Sequence, residues 1–118
     1  MERTTSLPSA ERRQQRRTKL DLFVNRFLNG HPYLCRMTDI SRTGARIVPI
    51  IEPRVWPAPS HMGLQFQLPG GHEVVTASGV AVAGVPGGAD SDGRAIGIRF
   101  TNLSAHSATA IEAFVKAA

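Results

Sequence analysis

The chain has 118 residues, enough for one domain with a single core and too few for two. A hydrophobic content of 42% excludes wholesale disorder, and a lone cysteine, Cys35, excludes an intramolecular disulfide. The net charge of +5 is unevenly placed: Arg3, Arg12, Arg13, Arg16, Arg17 and Lys19 crowd the N-terminal segment, which points to an anionic partner there.

Residues 1–10 carry no periodicity and are expected to form a flexible tail. The basic stretch ERRQQRR follows at 11–17, and the pattern then changes to short apolar runs. Leu20, Leu22 and Val24 alternate with Asp21, Phe23 and Asn25, which is strand spacing. Asn29-Gly30 signals a hairpin turn, Tyr33 to Ile40 reads as the next strand, and Thr43-Gly44 as a turn. Ala45 to Ile51 is extended and rich in β-branched residues. Residues 52–61 read as a proline-rich loop in which Trp56 forms a plug over the sheet.

Leu64, Phe66 and Leu68 then alternate with Gln65 and Gln67, and Pro69-Gly70-Gly71 closes that strand. A long strand is expected from Glu73 to Val85, with Gly79 and Gly84 as bulge or bend positions. Residues 87–93 form a turn-rich loop, after which Ile96, Ile98 and Phe100 share one face of a last strand. The end of the chain changes period. Ser104 is placed to cap a helix on which Ala108, Ile111, Phe114 and Val115 recur at helical spacing.

Six antiparallel strands in so short a chain must protect their edges, and closure into a barrel does so. The expected fold is all-β with a terminal helix: a basic arm over 11–19, a six-stranded antiparallel β-barrel over 20–102, and a C-terminal helix over 104–117 docked by its apolar stripe. Together, 11–118 make the domain.

Two motifs carry the chemistry. In RRQQRR at 12–17, Arg12, Arg13 and Arg17 have the spacing RRxxxR. Arginine presents a rigid fork of donors that grips phosphate bidentately, and its plane stacks on bases. An ordinary solvated basic arm would read the same way. In DISRTG at 39–44, Asp39 and Ser41 are two apart and would share a strand face, with Ile40 turned to the core. A carboxylate only accepts, so Asp39 suits the N1–H and exocyclic amine of guanine. Ser41 adds a hydroxyl, and Gly44 permits a tight turn or a close backbone approach. A plain Asp/Ser/Gly turn is the competing reading.

In this order and separation the two motifs resemble the PilZ domain, a family of cyclic di-GMP receptors. There an arginine motif on a flexible N-terminal arm precedes the first strand, and a D/N-x-S-x-x-G motif follows on the barrel. The segment Arg17-Thr-Lys-Leu-Asp-Leu-Phe-Val is similar to the family's entry into its first strand, and Ala95-Ile-Gly-Ile-Arg-Phe-Thr-Asn102 to its last. The resemblance covers roughly 11–117. It implies that cyclic di-GMP is gripped by Arg12, Arg13, Arg17, Asp39, Ser41 and Gly44. Arg16 has no fixed role in the pattern, and with Gly97 leaving its strand face bare, stacking falls to arginine planes. The arm is expected to fold over the nucleotide and to alter contacts with a protein effector, in motility or exopolysaccharide control.

Catalysis is not expected. The chain has no Ser-His-Asp ordering, paired catalytic carboxylates or phosphate-binding GxxxxGK sequence, and it implies no cofactor. His31, His61, His72 and His106 stand apart in presumed loops, without metal-site spacing, and Cys35 reads as a buried structural thiol. No apolar run approaches the roughly 20 residues of a membrane helix. Charge from Arg12 to Lys19 stands where a signal peptide would be apolar, so a cytoplasmic protein is expected. Two alternatives remain: a basic barrel that binds nucleic acid, disfavoured because the arm lacks an aromatic to stack bases, and an adaptor that keeps the fold without using the nucleotide.

Overall fold

A computed structural model describes residues 17–51, 60–71, 73–82 and 95–118. Arg12, Arg13, Arg16, the tail, Trp56, His72 and Gly84 lie outside the described residues. Six strands, β1 (Thr18–Leu28), β2 (His31–Ile40), β3 (Gly44–Pro49), β4 (His61–Gln67), β5 (Val74–Val82) and β6 (Ile96–Leu103), precede one helix, α1 (Ala105–Ala117). They close into a barrel in the order β1-β2-β3-β6-β5-β4, every pairing antiparallel. Closure gives every strand a paired neighbour on both sides, which is how a small sheet limits pairing with other chains.

The strands begin where alternation begins. Along β1, Leu20, Leu22, Val24 and Leu28 turn inward or half inward while Lys19, Asp21 and Asn25 stay exposed. Asn29 (φ 52°) and Gly30 (φ 83°) both take left-handed backbone, the requirement of the two-residue hairpin that joins β1 to β2. On β4, Leu64 and Phe66 are buried between exposed Gln65 and Gln67, and Leu68 continues the row. The inward sets of all six strands form one core with Val24, Leu28, Met37, Ile40, Ile47, Leu64, Val75 and Ile98 among its members, and Cys35 lies fully buried in it.

Several boundaries differ from the sequence pattern. β1 starts at Thr18, so the basic arm ends two residues earlier than its charge suggested and Lys19 belongs to the barrel. His31 and His61 open strands, and His106 lies in α1, where it pairs with Glu73. Gly79 does sit at a register break against β6. Arg26 is the departure from pattern that matters energetically. It holds an inward position, is 4% exposed, and its Nε and Nη2 are buried without a hydrogen-bond partner among the described residues.

The helix packs on β5 and β6 through buried Ile111 and Val115, with Phe114 partly buried. Ala108 does not join them. The position four before Ile111 is Ser107, which is buried and accepts a hydrogen bond from the Thr76 backbone N–H at 3.2 Å. Helical spacing sets both 107 and 108 beside Ile111, and the Thr76 N–H on β5 makes 107 the inward one. Ser104 caps the helix by accepting from the Ser107 N–H at 3.0 Å.

Candidate functional site

The site is built where two bulges flank one residue. Between Lys19 and Leu22 on β1, and again between Met37 and Asp39 on β2, the register shifts. Met37 faces the core opposite Ile47, and strict alternation would bring Asp39 to the same face. The extra residue, Thr38, reverses this: Asp39 lies opposite Arg46 on the outer face, and Ile40 returns to the core opposite Ala45. Thr38 is tied down as its hydroxyl donates to the Arg46 carbonyl at 3.4 Å.

Asp39 is therefore a barrel-surface residue, but a covered one. Arg17 reaches across from the start of β1 and places both Nε and Nη2 at 2.9 Å from Oδ1 of Asp39, leaving that side chain 10% exposed. Both nitrogens use the same oxygen. Oδ2 accepts no hydrogen bond from the described residues. Thus Arg17 and Asp39, taken from the two sequence motifs, meet in space across a separation of 22 residues.

Ser41 departs from the expected geometry. β2 ends at Ile40, so Ser41 does not share a strand face with Asp39 and is completely buried in the turn. Its Oγ accepts from the Thr43 N–H at 3.2 Å and reaches the Gly44 carbonyl at 3.4 Å, while its own N–H donates to that carbonyl at 2.8 Å. A hydroxyl so engaged shapes the turn. Gly44 serves closure of the barrel: a Cβ there would lie 2.1 Å from the Ile98 carbonyl oxygen on β6. Its φ is not positive, so the close approach rather than backbone freedom requires glycine.

Register identifies neighbours that the motifs did not. Lys19, Asp39, Arg46, Gly97 and Val82 are successive cross-strand partners over β1, β2, β3, β6 and β5, so they form one outer row. Lys19 and Arg46 flank the carboxylate, and Gly97 beside Arg46 contributes no side chain. Arg46 Nε is buried and has no hydrogen-bond partner among the described residues. A base and an acid row of this kind can accept from a purine edge and donate to phosphate. Alternation along β3 would have placed Arg46 outside; which residues stand beside it needed the register.

Other features lie apart from this row. A mainly apolar groove of about 460 Å³ runs between α1 and the β4–β5 turn, lined by Leu68, Val75, Ala110 and Phe114. It shares no residue with the Asp39 row. Among the described residues no group of histidine, cysteine or acidic side chains could hold a metal ion, and no helix is long and apolar enough to cross a membrane.

A closed six-stranded antiparallel barrel with a C-terminal helix, and an arginine–aspartate contact at its N-terminal edge, defines a small β-barrel domain. The PilZ domain model matches residues 11–117, and the chain belongs to the PilZ domain family, whose members are generally cyclic di-GMP receptors. The fold is similar to that of the Bacillus subtilis inhibitor of motility (MotI/DgrA), with a TM-score of 0.68 and 17% identity. The match covers 87% of this chain and 49% of that one, so this chain spans about half the length of that neighbour. No curated relative matches the sequence.

Proposed function

We propose that this chain is a cyclic di-GMP receptor module that works by binding rather than catalysis. The nucleotide lies on the outer row at Asp39, with phosphates facing Arg17 and the arginines Arg12 and Arg13 that precede it. The observation carrying this reading is the Arg17–Asp39 contact, which brings the two motifs to one place although 22 residues separate them. Asp39 Oδ2 remains able to accept from the guanine N1–H and amine while Oδ1 keeps Arg17. Hydrogen bonds to charged groups contribute about 1.5–3 kcal/mol each. Three or four of them, less the cost of ordering the arm, land near the roughly −8 kcal/mol of a micromolar complex.

Ligand folding the arm onto the barrel would change the surface offered to a protein effector, which makes the module an adaptor with a nucleotide input. Motility or exopolysaccharide control is the output this reading favours, since the fold neighbour is named as an inhibitor of motility. Its expected place is the cytoplasm.

Titration calorimetry with cyclic di-GMP tests the proposal on the full chain and on Arg13→Ala and Asp39→Ala. Saturable heat with the parent chain, lost in both variants, supports it. No heat with the parent chain rejects it in favour of an adaptor independent of nucleotide. Steep loss of nucleic-acid binding with salt, without a cyclic di-GMP signal, would favour the basic-barrel alternative.

A further inference from the structure

We propose that Arg46 reads the base of the bound nucleotide, donating to guanine O6 and N7, and so sets specificity for guanine over adenine. This rests on the nucleotide reading above and adds a residue that neither motif contains.

Three observations lead to it. Arg46 is the cross-strand partner of Asp39, so the two side chains rise next to each other from adjacent strands, about 5 Å apart at the backbone. Arg46 is a half-buried residue, and its Nε is shut off from solvent without an acceptor among the described residues. Asp39 is already engaged by Arg17 through Oδ1, and none of the ion pairs among the described residues uses Arg46. A buried donor on a permanently charged group is costly to leave unpaired, and here the missing acceptor has a defined place beside a carboxylate.

The order of groups on guanine fits that place. Along its edge the amine and N1–H are donors, and O6 comes next, with N7 beyond it. A guanine that gives its donors to Asp39 Oδ2 therefore turns O6 and N7 toward the strand on one side of Asp39, where Arg46 stands. Arginine meets this acceptor pair bidentately. Adenine presents an amine where guanine has O6, so two donors would oppose each other. Gly97 on the far side of Arg46 sets no side chain against that flank. Lys19, on the opposite flank of Asp39, is exposed and lacks the planar fork.

The test is calorimetry of the full chain and of Arg46→Gln and Arg46→Lys with cyclic di-GMP and cyclic di-AMP, each variant first shown to melt within about 2 °C of the parent. Loss of a bidentate base contact predicts weakening for cyclic di-GMP of roughly tenfold or more in both variants. Binding of cyclic di-AMP should stay the same or improve, so discrimination narrows. A change below twofold in Arg46→Gln overturns the proposal. Equal weakening for both dinucleotides also overturns it and assigns Arg46 to phosphate, as does full rescue by lysine. Absence of heat with the parent chain defeats the receptor reading itself, and this inference with it.

Discussion

Gly44 offers the sharpest test of the structural argument, because alanine there sets one methyl group against backbone. The added Cβ would lie 2.1 Å from the Ile98 carbonyl oxygen and 3.2 Å from its carbon, neither of which can rotate away. Relief requires the start of β3 to withdraw from β6 by about 1 Å, at the seam where Gly44 pairs with Arg99 and the Phe100 N–H donates to Thr43 at 2.8 Å. Losing or stretching two such hydrogen bonds at a buried edge costs about 2–4 kcal/mol. Reduced freedom of the unfolded chain returns about 0.4–1 kcal/mol. The net loss is about 1–3.5 kcal/mol, a fall in melting temperature of roughly 5–15 °C. Thermal or urea unfolding monitored by circular dichroism measures it, with Gly63→Ala as the matched control. In the control, the new Cβ would meet Phe27 Cβ at an ordinary 3.6 Å. A Gly44→Ala melt within 2 °C of the parent would show that β3 and β6 do not approach as described.

Ser41→Ala removes a fully buried hydroxyl that accepts from the Thr43 N–H and should lower stability by about 1 kcal/mol in urea unfolding, against no change if that hydroxyl faced solvent. Ser104→Ala deletes the helix cap and is expected to cost about 1 kcal/mol by the same assay, with loss of helical signal confined to α1. Arg26→Met exchanges a guanidinium whose Nε and Nη2 lack a hydrogen-bond partner among the described residues for an apolar chain of similar length, so the melting temperature should hold or rise; a large fall would mean that the cation has a stabilising partner. Asp39→Asn keeps the size of the side chain but removes its charge. It is expected to cost under about 1 kcal/mol in unfolding, because its partner Arg17 is partly exposed, and to weaken cyclic di-GMP at least tenfold in calorimetry.

Much of the fold was written in local pattern. Alternation in β1 and β4, the Asn29-Gly30 turn and the Ser104 cap each state their geometry within a few residues, and each appears where the pattern puts it. What could not be read is set by contacts between distant segments. Ser107 outranks Ala108 on the helix because β5 offers it the Thr76 N–H, 31 residues away. Arg26 falls on the inward phase of β1 between Val24 and Leu28, but a cation at that position reads locally as the end of the apolar row. Gly44 was recognisable as a close-approach position, but its contact on β6 needed the topology. The same holds for Ser41, whose spacing from Asp39 suggests a shared face only while the strand continues beyond Ile40.

The bulge at Thr38 joins these points. The buried apolar residues of β2 fall at Cys35 and Met37, then at Ile40, so the inward spacing passes from two to three. A two-residue period cannot hold all three inside, and the chain resolves the conflict by inserting one residue opposite β3. Without that insertion Asp39 would be driven into an apolar barrel, where an ionised carboxylate is untenable. With it, the carboxylate emerges between Lys19 and Arg46 and meets Arg17. The irregularity that looks like a defect in the sheet is thus what converts a core position into a surface position. Hydrophobic spacing specifies it from within, before any ligand is considered.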